Sequence, residues 1–250
     1  MLTRDGCSTG GGCVHLLSAF TCRIDGGEVA LAELPRNLVI NLVLGRHRMS
    51  RGALMARLWP DEEPERAAKR LRQILWRIRR LTQGRIVSAD HEVIGLAEDT
   101  CVDFTAALDL ARFAVSATAT LPELAIRSLD HWRPLAQPLL PGSTSDEVHM
   151  ARQRWDRLRL LALEKIADAM LLSGDIPAAI ELASYAVEVD DLSEGPYRVL
   201  AQAHLARNDI GMAQRVYGAY AALLRESLGV GPSAEFGDIL NTAGSRRLAG

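Results

Sequence analysis

The stretch from Pro64 to Thr82, PERAAKRLRQILWRIRRLT, decides the fold. Leu71, Ile74, Leu75, Ile78 and Leu81 fall three and four residues apart, the spacing of one helical face. The spacing predicts a helix over 64–82 with that stripe turned to a core. Pro64 suits the first helical turn, where a missing N–H costs nothing. Asp61, Glu62 and Glu63 just before it complement the positive end of the helix dipole, so this acidic run reads as capping rather than as a metal site. The opposite face carries Lys69, Arg72, Gln73, Trp76, Arg77 and Arg80. Eight basic residues and one acid, Glu65, lie between 64 and 85. The basic residues therefore lack the alternating acids that would form i,i+4 ion pairs along the helix.

Working outward from this helix gives the layout around it. Ser50 is placed to cap a short helix holding Leu54, Met55 and Leu58, which Trp59-Pro60 ends. Before that, Pro35 can open a helix running to about Arg46. Earlier still, an apolar stretch over 14–24, the turn Asp25-Gly26-Gly27 and a short strand over 28–31 read as a hairpin. After the basic helix, Ile86-Val87 and 93–96 flank Ala89-Asp90-His91-Glu92 as a second hairpin. Strands, three helices and a hairpin are the order of a winged helix-turn-helix domain. Residues 1–13, rich in Gly, Cys and Ser, are expected to be a disordered tail.

The rest of the chain reads as helical. Asp103 is a candidate N-cap for a helix containing Phe104, Leu108, Ala111 and Val115. A second helix is expected over 121–132, an extended Pro-broken connector over 134–142, and a long helix over 146–173. Ala167, Ala169, Leu171, Asp175, Ile176 and Ala179 recur 34 residues later as Ala201, Ala203, Leu205, Asp209, Ile210 and Ala213. That is the tetratricopeptide (TPR) period. Small residues are needed where two helices of a hairpin cross closely. Gly174-Asp175 and Asn208-Asp209 are then the tight turns. The fold class is mainly α: a winged helix-turn-helix domain followed by an all-α TPR-like helical bundle.

Composition narrows the functions. The 250 residues are 48% hydrophobic and 24% charged, ordinary values for a chain with a core. No apolar run reaches the 18 residues of a membrane span, and the N-terminus lacks an apolar secretory segment. Lys69 and Lys165 are the only lysines, and neither follows glycine before Ser or Thr, so no Walker-type phosphate loop exists. Cys7, Cys13, Cys22 and Cys101 have no zinc-like spacing. Neither metal nor cofactor is expected, and a reduced, cytoplasmic setting is the default. The six histidines are scattered, with no HExxH, so no enzyme is read here. The net charge of −2 divides unevenly: residues 1–102 carry 15 basic and 12 acidic residues, the remainder 14 and 19.

A helix fits the major groove of B-DNA, where arginine can contact guanine bidentately and glutamine adenine. Arg72, Gln73 and Arg77 are assigned to base readout. Lys69, Arg70 and Arg80 are assigned to phosphates, with counterion release following. Trp76 has two readings: it stacks on sugar or thymine methyls, or it tucks its ring onto the wing or the neighbouring domain. The alternative function is a TPR-type interaction adaptor whose winged helix no longer binds DNA.

Several stretches also resemble a known family. Leu58-Trp59-Pro60 with the run 71–80, Val102-Asp103-Phe104, and Leu228-Gly229-Val230-Gly231-Pro232-Ser233-Ala234-Glu235 are similar to motifs of the short antibiotic regulatory protein (SARP) type of bacterial transcriptional activator. That resemblance implies an OmpR-type winged helix over 14–99 and a bacterial transcriptional activator domain (BTAD), TPR-like, over 103–246. It further implies sequence-specific binding to double-stranded DNA at direct repeats, a homodimer on DNA and recruitment of RNA polymerase. The wing tip, Asp90-His91-Glu92, departs from the family's glycine-rich or basic pattern. Either Arg85 alone supplies the wing contact, or the wing plays little part.

Overall fold

The computed structural model describes residues 11–116 and 118–248, with side chains as far as Asn241. The chain divides into two compact units, Met1–Leu108 with Gln137–Arg154, and Asp109–Ala136 with Trp155–Gly250.

In the first unit, β1 (Gly12–His15), β2 (Thr21–Ile24) and β3 (Gly27–Glu28) form an antiparallel meander. β7 (Cys101–Val102) adds to the far edge of β1 in parallel, giving the order β3-β2-β1-β7. The apolar stretch over 14–24 is thus two strands, because Ser18 takes a left-handed φ of 65° and reverses the chain between them. Asp25-Gly26 makes the expected second turn, with φ of 49° and 81°. The expected tail falls outside the described residues as far as residue 10, whereas Gly12 and Cys13 are already in β1. Cys13 is disulfide-bonded, so the reduced default does not extend to it. Cys22 is a free thiol whose burial pushes its pKa up to about 11.

Three helices follow: α1 (Glu33–Leu44), α2 (Arg51–Leu58) and α3 (Pro64–Thr82). Pro35 falls in the first turn of α1 rather than at its start, still where no N–H is needed. Ser50 caps α2 by accepting from the Ala53 N–H at 3.2 Å. A second sheet has the order β4-β6-β5, from β4 (Arg48–Ser50), β5 (Val87–Ala89) and β6 (Val93–Leu96). β4 is too short to show in the sequence pattern, and its pairing with β6 fixes the wing to the start of α2.

Residues 137–154 return to this unit. The Leu140 N–H donates to the Leu16 carbonyl at 3.1 Å, and Leu17 and Leu139 form a β-bridge. The connector expected to be merely extended is therefore docked. Arg152 fixes it, donating to the carbonyls of Leu139, Leu140 and Ser143. The carboxylate of Asp103 also ties distant chain together. It accepts from Leu16 N (2.8 Å), Leu17 N (3.2 Å) and Phe104 N (2.6 Å).

The second unit is helical. α4 (Asp103–Val115) and α7 (Asp146–Ser173) each cross the division between units. The single helix expected over 121–132 is broken into α5 (Leu121–Ala125) and α6 (Leu129–Trp132), followed by a 3-10 turn over Arg133–Ala136. A Thr120–Glu123 capping box starts α5. Then come α8 (Ile176–Val189), α9 (Glu194–Ala206), α10 (Ile210–Leu228) and α11 (Ala234–Leu248). Both repeat turns have the same construction: a left-handed residue, Gly174 (85°) or Asn208 (60°), then an aspartate capping the next helix. Asp175 accepts from Ala178 N at 3.2 Å and Asp209 from Met212 N at 3.0 Å. Ala167, Ala179, Ala201 and Ala213 are fully buried, as close helix crossing requires. Ala201 and Ala213 share a core with Tyr220, Leu224 and Phe236.

Candidate nucleic-acid interface

α3 has the predicted limits and a modified inner face. Its buried residues are Ala67, Leu71, Ile74, Ile78 and Thr82. Leu75 is half-buried and Leu81 is 49% exposed, contrary to the expected stripe. Successive residues step about 100° around a helix, which places Leu75 and Leu81 on opposite shoulders of the line through Leu71 and Ile78. Thr82 fills the end of that line, its hydroxyl donating to the Ile78 carbonyl at 2.8 Å. The helix closes on Gln83 and Gly84, both left-handed, whose N–H groups return to the Arg79 carbonyl.

The same angular step sorts the outer face. Lys69, Trp76 and Arg80 lie along its centre. Arg66, Gln73 and Arg77 lie on one flank, and Arg72, Arg79 and Gln83 on the flank nearest β5. All nine are exposed. Among the described residues, Lys69, Arg72 and Arg77 have no carboxylate within ion-pair distance. The Arg80 guanidinium lies over the Trp76 ring, 5.3 Å from its centroid.

Two predicted residues are differently engaged. Arg70 pairs with Glu62 at 2.9 Å and lies 5.7 Å from the Trp59 ring centroid, so the acidic loop before α3 holds one of its cations. Arg85 follows the helix and pairs with Asp25 of the β2–β3 turn at 2.5 Å. The structure thus gathers Lys69, Arg72, Gln73, Trp76, Arg77 and Arg80 on one face, sets Arg70 at its edge and places Arg85 off it.

The wing tip has a structural reason for its acid. Asp90 Oδ1 accepts from Glu92 N (2.9 Å) and Val93 N (2.6 Å), closing the β5–β6 turn. These two backbone bonds hold the carboxyl below the usual carboxylate range, helped by the nearby charges of Arg48 and Arg51. Arg51 also donates from Nε (3.1 Å) and Nη2 (2.7 Å) to the Asp90 carbonyl, and its N–H donates to Glu92 O.

Sequence reasoning missed the groove between α3 and β5. It is lined by Arg51, Arg72, Leu75, Trp76, Arg79 and Val87, among others. Arg79 was legible in principle, three residues from Trp76 and seven from Arg72. Arg51 was not, because its place depends on the β4–β6 pairing. Among the described residues, no group of three or more His, Cys, Asp or Glu is placed to hold a metal ion. Nor is any described helix long and apolar enough to cross a membrane.

Comparison with known proteins adds three findings. The family model "Bacterial transcriptional activator domain" matches residues 102–240, more than half of the chain. No curated protein matches it. Among solved structures, the fold is similar to that of EmbR from Mycobacterium tuberculosis, solved in complex with a low-affinity phosphopeptide. The TM-score is 0.68 at 20% identity, over 94% of this chain and 65% of that one, so this chain spans less than two thirds of EmbR's length. The match begins at Val102, where β7 runs into α4, and includes the Leu228–Glu235 motif. In that motif Gly229 ends α10 with a φ of 72°, and Ser233, starting α11, binds the Glu194 carboxylate through both its N–H and its hydroxyl. The chain belongs to the bacterial transcriptional activator domain family, in agreement with its resemblance to the SARP type of transcriptional activator.

Proposed function

We propose that this chain is a sequence-specific, DNA-binding activator acting in the cytoplasm, which binds direct repeats in promoters as a homodimer and recruits RNA polymerase. Its family is one of transcriptional regulators rather than enzymes. The observation that carries the reading is the outer face of α3, where Lys69, Arg72, Gln73 and Arg77 stand exposed with no carboxylate partner among the described residues. In this reading the DNA-binding domain spans 14–99 and the activator domain 103–246. Arg72, Gln73 and Arg77 read base edges, while Lys69, Arg70 and Arg80 contact phosphates. Arg70 and Arg85 must first give up Glu62 and Asp25. These pairs are partly exposed, so exchanging them for phosphate costs little.

The test is salt-dependent binding of the full chain to duplex DNA. Wild type should lose affinity steeply with added salt, since each neutralised phosphate releases counterions. The Arg72→Ala, Arg77→Ala double variant should lose about 2–6 kcal/mol if each arginine makes one good base contact. A protein-interaction adaptor with an inert winged helix would show neither effect.

A further inference from the structure

Trp76 is the residue that the DNA-binding reading leaves without a task. It is 59% exposed although tryptophan usually buries most of its surface. It is not tucked onto the wing, and its ring is held by the Arg80 guanidinium. It stands at the mouth of the α3–β5 groove, whose floor includes Leu75 and Val87 and whose walls carry Arg51, Arg72 and Arg79. The groove therefore combines an aromatic and aliphatic surface with three cations.

Double-helix geometry identifies what fits there. Major and minor grooves are separated by a single sugar–phosphate strand. A protein that lays α3 in the major groove and turns its β5–β6 hairpin toward the adjacent minor groove must straddle that strand. The cleft between α3 and β5 is where it would lie. Deoxyribose offers a C–H face that an indole ring can cover, and the phosphates on either side of it are anionic. Guanidiniums beside an indole match that alternation. A thymine methyl, by contrast, projects near the middle of the major groove, beside Gln73 and Arg77.

We infer that the α3–β5 groove seats one DNA strand, with Trp76 as a platform for a deoxyribose and Arg72 and Arg79 beside the flanking phosphates. This rests on the DNA-binding reading and adds a sequence-independent subsite to it. Trp76 is then a positioning residue: it sets the depth at which Gln73 and Arg77 reach the bases.

The test compares the full chain with its Trp76→Ala and Trp76→Phe variants on two probes, a mixed-sequence duplex and a duplex selected from a random pool by the wild type. Trp76→Ala should weaken both by the same factor, roughly five- to tenfold, at the lower end of aromatic stacking on nucleic acid. Trp76→Phe should restore most of the loss. The slope of log affinity against log salt should not change, because a neutral ring displaces no counterion. Trp132 and Trp155 are fully buried, so iodide should quench chiefly the emission that Trp76→Phe removes, and DNA should protect that emission. Unchanged affinity of Trp76→Ala overturns the inference. So does a loss confined to the selected duplex and reproduced by replacing thymine with deoxyuridine, which would make the ring a reader of thymine methyls. If the wild type binds neither duplex, the DNA-binding reading itself fails, and this subsite with it.

Discussion

At the scale of single residues, charge and geometry assign different tasks to side chains that look alike in sequence. Lys69 and Gln73 are one turn apart on α3, both exposed. Lys69→Ala should weaken selected and mixed duplexes alike and lower the salt slope by about one. Gln73→Ala should cost about 1–3 kcal/mol on the selected duplex and little on the mixed one. Titrating each variant against both probes checks the pair. Asp90 offers a sharper separation, because its carboxylate both repels phosphate and closes the wing turn. Asp90→Asn keeps an oxygen for the Glu92 and Val93 N–H groups and removes the charge, so DNA affinity should rise. Asp90→Ala removes the charge and the acceptor, so the turn should open and the gain should vanish. Exchange rates of those two amides report the turn. The pH dependence has a definite sign: with its folded pKa lowered, Asp90 contributes stability above the ordinary carboxylate value, and that contribution is lost as pH falls through the lowered one.

At the scale of elements, the features carried by short-range pattern were legible. The limits of α3 followed from a Pro at one end and the end of the apolar period at the other. The 34-residue repeat located two turns that are alike in atomic detail. Removing either cap, Asp175→Ala or Asp209→Ala, should therefore destabilise the helical unit by a similar amount, about 1 kcal/mol each. Urea denaturation of the two variants would show midpoints displaced equally. Hidden from the sequence were features that depend on partners far along the chain: the shoulders of α3, the break between α5 and α6, and β4, whose three residues are strand only because β6 pairs with them. Between α7 and α9 lies another such feature. Burial raises the pKa of both Glu164 and Asp168, with the Asp190 charge adding to the effect on Glu164, while Ser193 and Arg198 oppose it. A carboxyl whose folded pKa is raised is penalised most when fully ionised, so stability should rise as pH falls through that raised value. Glu164→Gln keeps an acceptor for the Ser193 hydroxyl and removes the charge. It should raise the melting temperature at neutral pH by about a degree or two, given partial solvent screening, and flatten the gain on acidification.

For the whole molecule, the two compact units do not follow the order of the chain. The first is completed by residues 137–154, which return to β1 after the chain has passed through the second unit. Composition could not show this, because Pro134 to Gly142 has the look of a linker. What recruits it is a set of backbone groups: the Leu16 carbonyl takes the Leu140 N–H, and Arg152 gathers the carbonyls that the extended backbone leaves open. Asp103 serves the same edge from the other direction, with its carboxylate on the N–H groups of Leu16 and Leu17. The two residues are 49 positions apart in sequence, yet both stabilise the segment just after β1. A charged group satisfying several backbone partners is costly to delete, because the partners are left behind. Asp103→Ala and Arg152→Ala should each destabilise the first unit by about 2–4 kcal/mol, more than an isolated neutral hydrogen bond would. Both serve one strand edge, so the double variant should fall short of the sum of the two losses. Amide exchange in full-length protein gives the decisive reading. In each variant protection should fall at Leu16, Leu17 and Leu140 while the α9–α10 amides keep theirs. Loss of protection in α9–α10 to the same degree would mean that the returning segment stabilises the entire chain rather than the winged helix it docks on.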